Sequence, residues 1–305
     1  MAREYVFAVS FLSIVFSVNP KTTRMKHLLA MLLSFMLGTT TKAQNFHVNL
    51  FAGTSNYQGD LQDKRFTFSQ SHLAGGVGIS YDLSDKFSIR SGVTLAKVSA
   101  DDKYGRNRLR NLNFTSNLTE VNLGLEYYIT RLQDHALTPY VFAGIALYHF
   151  DPYTRDTSEA KYFLKPLSTE GEGFVDGKNN YNLTQFAIPF GAGVKLSLSE
   201  NINVGIELGL RKLFTDYLDD VSSTYVDEGL LLTNRGAKAV DLAYRGDELK
   251  NGGTYPVGGT VRGGSRKDLY YFTGFTLSFR LFNRDGNGGG IGGKHAEYGC
   301  PVNVQ

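Results

Sequence analysis

The sequence predicts an all-β fold, an eight-stranded antiparallel transmembrane β-barrel with short periplasmic turns and long extracellular loops. Three observations predict it. Beyond residue 44, apolar residues recur with a period of two in eight separate segments; the links between segments alternate short and long; and 34 Gly, 18 Tyr and 21 Phe without any Trp in 305 residues suit sheets better than Leu- and Ala-stocked helices.

The first segment sets Phe46, Val48 and Leu50 against His47 and Asn49, and the second sets Leu73, Val77, Ile79 and Tyr81 against Ala74, Gly76, Gly78 and Ser80. In the third, Phe87, Ile89, Val93 and Leu95 oppose Ser88, Arg90, Gly92 and Thr94; in the fourth, Val121, Leu123, Leu125, Tyr127 and Ile129 oppose Glu120, Asn122, Gly124 and Glu126. The fifth, 139–150, is apolar on both faces, so its facing is open. The sixth puts Phe186, Ile188, Phe190, Val194, Leu196 and Leu198 opposite Gln185, Pro189, Gly191, Gly193 and Lys195. The seventh has Ile202, Val204, Ile206, Leu208 and Leu210 against Asn203, Gly205, Glu207, Gly209 and Arg211, and the eighth Tyr271, Phe275, Leu277, Phe279 and Leu281 against Phe272, Gly274, Thr276, Ser278 and Arg280.

Links near 83–86, 130–138 and 199–201 are short, whereas those near 56–71, 101–112, 152–181 and 217–268 are long. A soluble sandwich has no reason to sort its loops this way; an outer-membrane barrel does. Its apolar face would meet lipid and its polar face the lumen, leaving no unpaired sheet edge in hydrocarbon. Eight strands enclose an interior just filled by side chains. The charges of the polar face, Arg90, Glu120, Glu126, Glu207 and Arg211 with Lys195 and Arg280, are therefore expected to pair within the lumen rather than line a channel. Glu126, Glu207 and Arg211 are expected to belong to one buried network.

Ahead of the barrel, Met25-Lys26-His27, the apolar run 28–37 and Thr41-Lys42-Ala43 before Gln44 have the basic head, apolar core and small-residue cut site of a secretory signal. Residues 1–43 thus form the leader, 44–282 the barrel and 283–305 a Gly-rich tail carrying Cys300. Residues 1–24 read as an over-extended start before Met25; the alternative is one long leader, and both give the same export. The leader holds Arg3, Lys21, Arg24, Lys26 and Lys42 against Glu4, so the formal charge of +3 falls to −1 once it is removed. No Lys/Arg cluster of the kind nucleic acid needs is present, so no nucleic-acid partner is expected. The single Cys allows neither an internal disulfide nor a zinc site.

At Tyr57-Gln-Gly-Asp-Leu61, Arg110-Asn-Leu-Asn-Phe114, Thr138-Pro-Tyr-Val-Phe-Ala-Gly144, Leu167-Ser-Thr-Glu-Gly-Glu-Gly173, Ala187-Ile-Pro-Phe-Gly191 and Phe214-Thr-Asp-Tyr-Leu-Asp-Asp-Val-Ser222, the chain resembles the DUF6089-type, PorG-like family of Bacteroidota outer-membrane barrels. The resemblance implies a non-enzymatic barrel among outer-membrane lipids, connected with type IX secretion and gliding and with periplasmic ring proteins of the PorK/PorN type. Its loop motifs place Gly59, Asp60, Thr169, Glu170, Gly171, Asp216, Tyr217, Asp219 and Asp220 among the residues of interest. A paralogue acting as a surface adhesion or binding barrel through its long loops is the alternative, and a lipid-modifying barrel enzyme a further one. The tail departs from the family pattern, in which the last strand ends the chain.

Chemistry at these residues has plain structural readings. Asp216, Asp219 and Asp220 lack EF-hand spacing; calcium is one reading, and a solvated or Arg-paired loop cluster is the default. Glu170 and Glu172 fit a loop clasp pairing with Arg211 or Lys212. His27, His47, His72, His135, His149 and His295 fall on different segments with no Ser-His-Asp pattern. No catalytic, cofactor-binding or metal-binding residue is expected.

Overall fold

Period-two patterning becomes eight long strands that close on themselves. The computed structural model describes residues 46–62, 67, 69–131, 136–199, 201–264 and 267–281; the leader, the tail with Cys300, and His135 lie outside them. The strands are β1 (Phe46–Gln58), β2 (His72–Asp82), β3 (Phe87–Asp101), β4 (Asn113–Tyr128), β5 (Leu137–Arg155), β7 (Thr184–Ser199), β8 (Ile202–Leu213) and β9 (Leu269–Arg280), with a short β6 (Lys161–Phe163) added to the outer end of β5. Each pairs antiparallel with its neighbours in the order β1–β2–β3–β4–β5–β7–β8–β9, and β9 returns to β1 with Val48 opposite Phe279. The ladder is closed, so the barrel wall presents no free edge.

Facing follows the alternation. Leu73, Val77, Leu123, Ile145 and Phe275 are exposed on the outside, a continuous apolar belt of the kind soluble monomers do not carry. Among the described residues no helix is long and apolar enough to cross a membrane. The connections keep their two classes, 83–86, 129–136 and 200–201 at one rim and 59–71, 102–112, 156–183 and 214–268 at the other.

The undecided segment is resolved by the lumen. β5 turns Tyr140, Phe142, Tyr148 and Phe150 inward, all buried, and Val141, Ile145 and Leu147 outward. Both faces are apolar because the half of the lumen toward the long loops is packed with Phe114, Leu118, Tyr148, Phe150, Tyr270 and Phe272 rather than with polar groups. In the 214–268 connection, α1 (Glu228–Arg235) and α2 (Ala237–Ala243) pack Leu231, Ala239 and Ala243 into a small core with Val226. Asp227 caps α1 by accepting from Leu230 N–H at 3.0 Å, and Gly236 takes φ +84° between the two helices.

Glycines face one another at four strand interfaces: Gly53 opposite Gly274, Gly78 opposite Gly92, Gly124 opposite Gly144 and Gly191 opposite Gly209. A Cβ on Gly53 would lie 2.2 Å from Thr273 O, and one on Gly191 2.1 Å from Leu208 O. At each of the four, a Cβ on either glycine would lie 3.0 Å or less from a neighbouring atom.

Candidate functional site

Strand parity brings the lumen charges onto two levels. On the lower level, Arg90 (β3) donates to Glu126 (β4) at 2.9 Å and across the lumen to both oxygens of Glu207 (β8) at 2.6 and 3.2 Å. Lys195 (β7) reaches Glu126 at 2.5 Å, and Tyr140 donates to Glu207 at 2.8 Å. On the upper level, Arg211 (β8) clamps Glu120 (β4) with two bonds of 3.0 Å, while Tyr270 donates to Glu120 at 2.7 Å. The Arg211 guanidinium also lies 4.1 Å from the centre of the Phe272 ring.

Arg211 therefore belongs with Glu120, not with Glu126 and Glu207 as the sequence suggested. Positions 207 and 211 share a strand face but stand two pleats apart, about 13 Å along the strand, too far for one guanidinium to serve both levels. Three cations meet three carboxylates across the barrel, so no lumen charge on these levels is left uncompensated. The space around Arg90, Glu126, Lys195 and Glu207 amounts to about 50 Å³, room for a few waters rather than a channel.

At the long-loop rim, the loop-motif residues converge although they come from three loops. Gly59 sits where a Cβ would lie 2.0 Å from the Tyr57 hydroxyl and 2.1 Å from Asp268 Oδ1. Asp60 accepts from Gly264 N–H at 2.7 Å. Thr169 donates to Asp220 at 2.7 Å, and Tyr181 donates to the other Asp220 oxygen at 2.7 Å. Glu170 accepts from Ser222 N–H and Ser223 N–H, both at 2.9 Å, and pairs with Arg262 at 3.0 Å. Gly171 holds φ +94° at the turn between them, and Tyr217 stacks on Tyr181 with ring centres 4.8 Å apart.

Two expectations change here. Glu170 pairs with Arg262, because Arg211 is committed inside the barrel and Lys212 points out of it. Asp219 and Asp220 are not solvated: both are buried, Asp219 accepting from Tyr57 at 2.5 Å and from Val221 N–H at 2.9 Å. Among the described residues no group of three or more His, Cys, Asp or Glu side chains is arranged to hold a metal ion, so the calcium reading finds no ligand set.

Arg262 is the hub that sequence reasoning missed. Besides Glu170 it donates to the carbonyls of Asp220 (2.6 Å) and Ala243 (3.1 Å), and its own carbonyl accepts from Arg110, which is locked to Asp102 by two bonds of 2.7 Å. A Gly-flanked Arg in a long connection carries no sequence signal of this role. Tyr57 does carry one, since strand parity continued from Phe51 turns it inward.

Acid groups outnumber cations in this cap, and burial raises their proton affinity. Burial pushes the Glu172 carboxyl up to about 7 and those of Asp216 and Asp220 up to about 6. Asp219 and Asp268 rise well above the carboxylate range for the same reason. Geometry agrees: Tyr57 OH lies 2.5 Å from Asp219 and 2.9 Å from Asp268, yet its one proton can serve one of them at a time. The second contact needs a proton on the carboxyl side.

Residues 26–230, which include seven of the eight barrel strands, match the family described as a domain of unknown function, DUF6089. The chain belongs to the DUF6089 family. No curated protein sequence matches it. Among solved structures, this DUF6089 chain is similar to Neisserial surface protein A (10% identity, 77% of this chain and 97% of that chain covered, TM-score 0.39). It is also similar to OprG from Pseudomonas aeruginosa (11%, 77% and 97%, TM-score 0.39) and to Ail of Yersinia pestis (8%, 77% and 99%, TM-score 0.36). Likeness of this degree carries no functional argument.

Proposed function

We propose that this DUF6089 chain is a non-enzymatic outer-membrane β-barrel, exported behind its signal peptide, that serves type IX secretion and gliding as a PorG-like component. In this reading the short turns and tail face the periplasm and engage ring proteins of the PorK/PorN type. The observation that carries the non-transport, non-enzyme part is the obstructed lumen: two levels of ion pairs and an aromatic layer fill the barrel, and the four long loops knit a cap over it. Among the described residues His47, His72 and His149 bond Asp82, Ser99 and Thr184 on separate strand pairs, an arrangement without the shared geometry of a Ser-His-Asp triad. What remains useful is an anchored surface on either side of the membrane. The secretion role rests on the family resemblance that the loop motifs carry; in the structure those same residues build the cap.

Affinity isolation of the tagged barrel from detergent-solubilised membranes tests the role. Ring proteins of the PorK/PorN type should co-purify, and their absence from a preparation that retains the folded barrel would overturn it. A surface-binding reading is favoured by one observation: the cap exposes Leu230 and Leu232 on α1 and Val257 and Val261 beyond it. Under that reading, changing these four to Ser abolishes binding at the cell surface and leaves secretion intact.

A further inference from the structure

A groove of about 570 Å³ opens on the outer flank of the long-loop rim, lined by Phe163, Lys165, Ser168, Asn180, Leu183 and Arg235 among others. Its height is set by parity. The outward residues of β5 run Ile145, Leu147, His149, Asp151, and those of β7 run Ile188, Phe186, Thr184. Apolar side chains stop at Leu147 and Phe186, and the groove, which Asp151 also lines, begins some 7–13 Å further along the strands. That is the level of the headgroups when the apolar belt sits in a hydrocarbon layer about 30 Å thick.

The groove carries positive charge on an aromatic and aliphatic floor. Arg235 donates to Ser168 Oγ at 3.2 Å and to Asn234 O at 3.2 Å, with its guanidinium 5.0 Å from the Phe174 ring centre. The Lys165 ammonium lies 5.9 Å from the centre of the Tyr181 ring and, among the described residues, makes no hydrogen bond or ion pair, although Asp151 is near enough to feel its charge and that of Lys161. Lys161 stands over the rings of Tyr153 and Phe163 at 3.9 and 4.2 Å. Among the described residues none of the three cations forms an ion pair, and Asp151 is the one carboxylate lining the groove. Asp156, the next acid, is held by Lys238 and Ser158. Two unpaired cations beside a hydroxyl and an amide, next to lipid, are the complement of a phosphate on an amphiphile.

We propose that this groove binds a phosphate monoester, held by Lys165 and Arg235 with help from Ser168 and Asn180. When the phosphate is a lipid headgroup, its acyl chains pass over Phe163 and Leu183 toward Phe186. The lipid form rests on the membrane reading above, whereas the anion chemistry does not.

Native mass spectrometry of the refolded full chain in detergent tests the site, with phosphatidic acid, inorganic phosphate and diacylglycerol as separate probes. Phosphatidic acid should bind one to one. The Lys165→Gln/Arg235→Gln variant should weaken it about thirtyfold, while Lys250→Gln, an exposed cation elsewhere, leaves it unchanged. Binding of phosphatidic acid at least tenfold tighter than phosphate assigns the site to lipid; equal affinity assigns it to the free anion. Diacylglycerol retained as well as phosphatidic acid, or unchanged binding by the double variant with normal heat-modifiable migration, would overturn the proposal. Failure of the unmodified chain to insert into zwitterionic vesicles would sink the membrane reading instead, and the phosphate arm in detergent would still be readable.

Discussion

Removing the guanidinium of Arg211 tests the lumen most sharply. Glu120 is wholly buried, and Arg211 supplies two of its hydrogen bonds, both 3.0 Å and both charge-assisted; Tyr270 and Asn122 remain at 2.7 and 3.2 Å. Arg211→Ala strands that carboxylate in a confined interior, an effect worth about 3–5 kcal/mol. Glu120→Gln in the same chain removes the stranded charge and keeps a partner for Tyr270, so roughly 1–3 kcal/mol should return. Glu207→Ala offers the contrast, because Glu207 is held by Arg90 and Tyr140 on the other level. Combined with Arg211→Ala, its effect should add to within about 0.5 kcal/mol. The assay is urea unfolding from lipid vesicles, read by circular dichroism and electrophoretic shift, since the chain has no Trp to report by fluorescence. A loss below about 1 kcal/mol for Arg211→Ala, or coupling to Glu207 as strong as to Glu120, would refute the two-level assignment.

Leu123→Arg, which puts a charge on the outer belt, should cost about 2–4 kcal/mol near the midplane, while Asn122→Arg, turned inward, should fail through crowding alone; equal behaviour in vesicle refolding would mean the facing is inverted. The cap should loosen as pH rises. Glu172, Asp216 and Asp220 have folded-state values raised to about 7, 6 and 6, so their contribution is complete below the unfolded carboxylate value near 4 and is lost as pH climbs through 6 to 7. Amide exchange over 169–173 and 216–222, corrected for intrinsic rate, should accelerate between pH 5 and pH 8, and flat protection would contradict this. Arg262→Met should speed proteolysis within 214–264 several-fold without changing the heat-modifiable migration of the barrel, and an unchanged cleavage rate would remove Arg262 from its place as hub.

Strand facing was legible because the signal is local: one residue decides the side on which the next must lie, and Leu123 against Asn122 needs no partner to be read. Connection classes were legible for the same reason. Pairing across the lumen was not. Whether Arg211 meets Glu120 or Glu126 depends on how β4 and β8, whose paired residues lie 91 apart in the chain, are staggered around the ring, and no local pattern encodes that offset. β5 resisted because an aromatic lumen layer imitates a lipid face in composition. In the cap, Asp219 and Asp220 read as solvated or Arg-paired because loop carboxylates usually are; their burial comes from Tyr57, Tyr181 and Thr169 on other segments. Arg262 joins Glu170 from 92 residues away, a relation only the assembled rim creates.

The four glycine pairs have a distribution of their own. Three lie in β2–β3, β4–β5 and β7–β8, the strand pairs joined by short turns, and the fourth lies in the β1–β9 seam. The interfaces bridged by long loops have none in their registers. A hairpin shifted by two residues would separate its two facing glycines, so each pair marks one alignment as a key does. A barrel inserted hairpin by hairpin can thus be proofread in each unit before the next arrives. The last key turns only when the first and last strands meet in register, which makes closure its own inspection step.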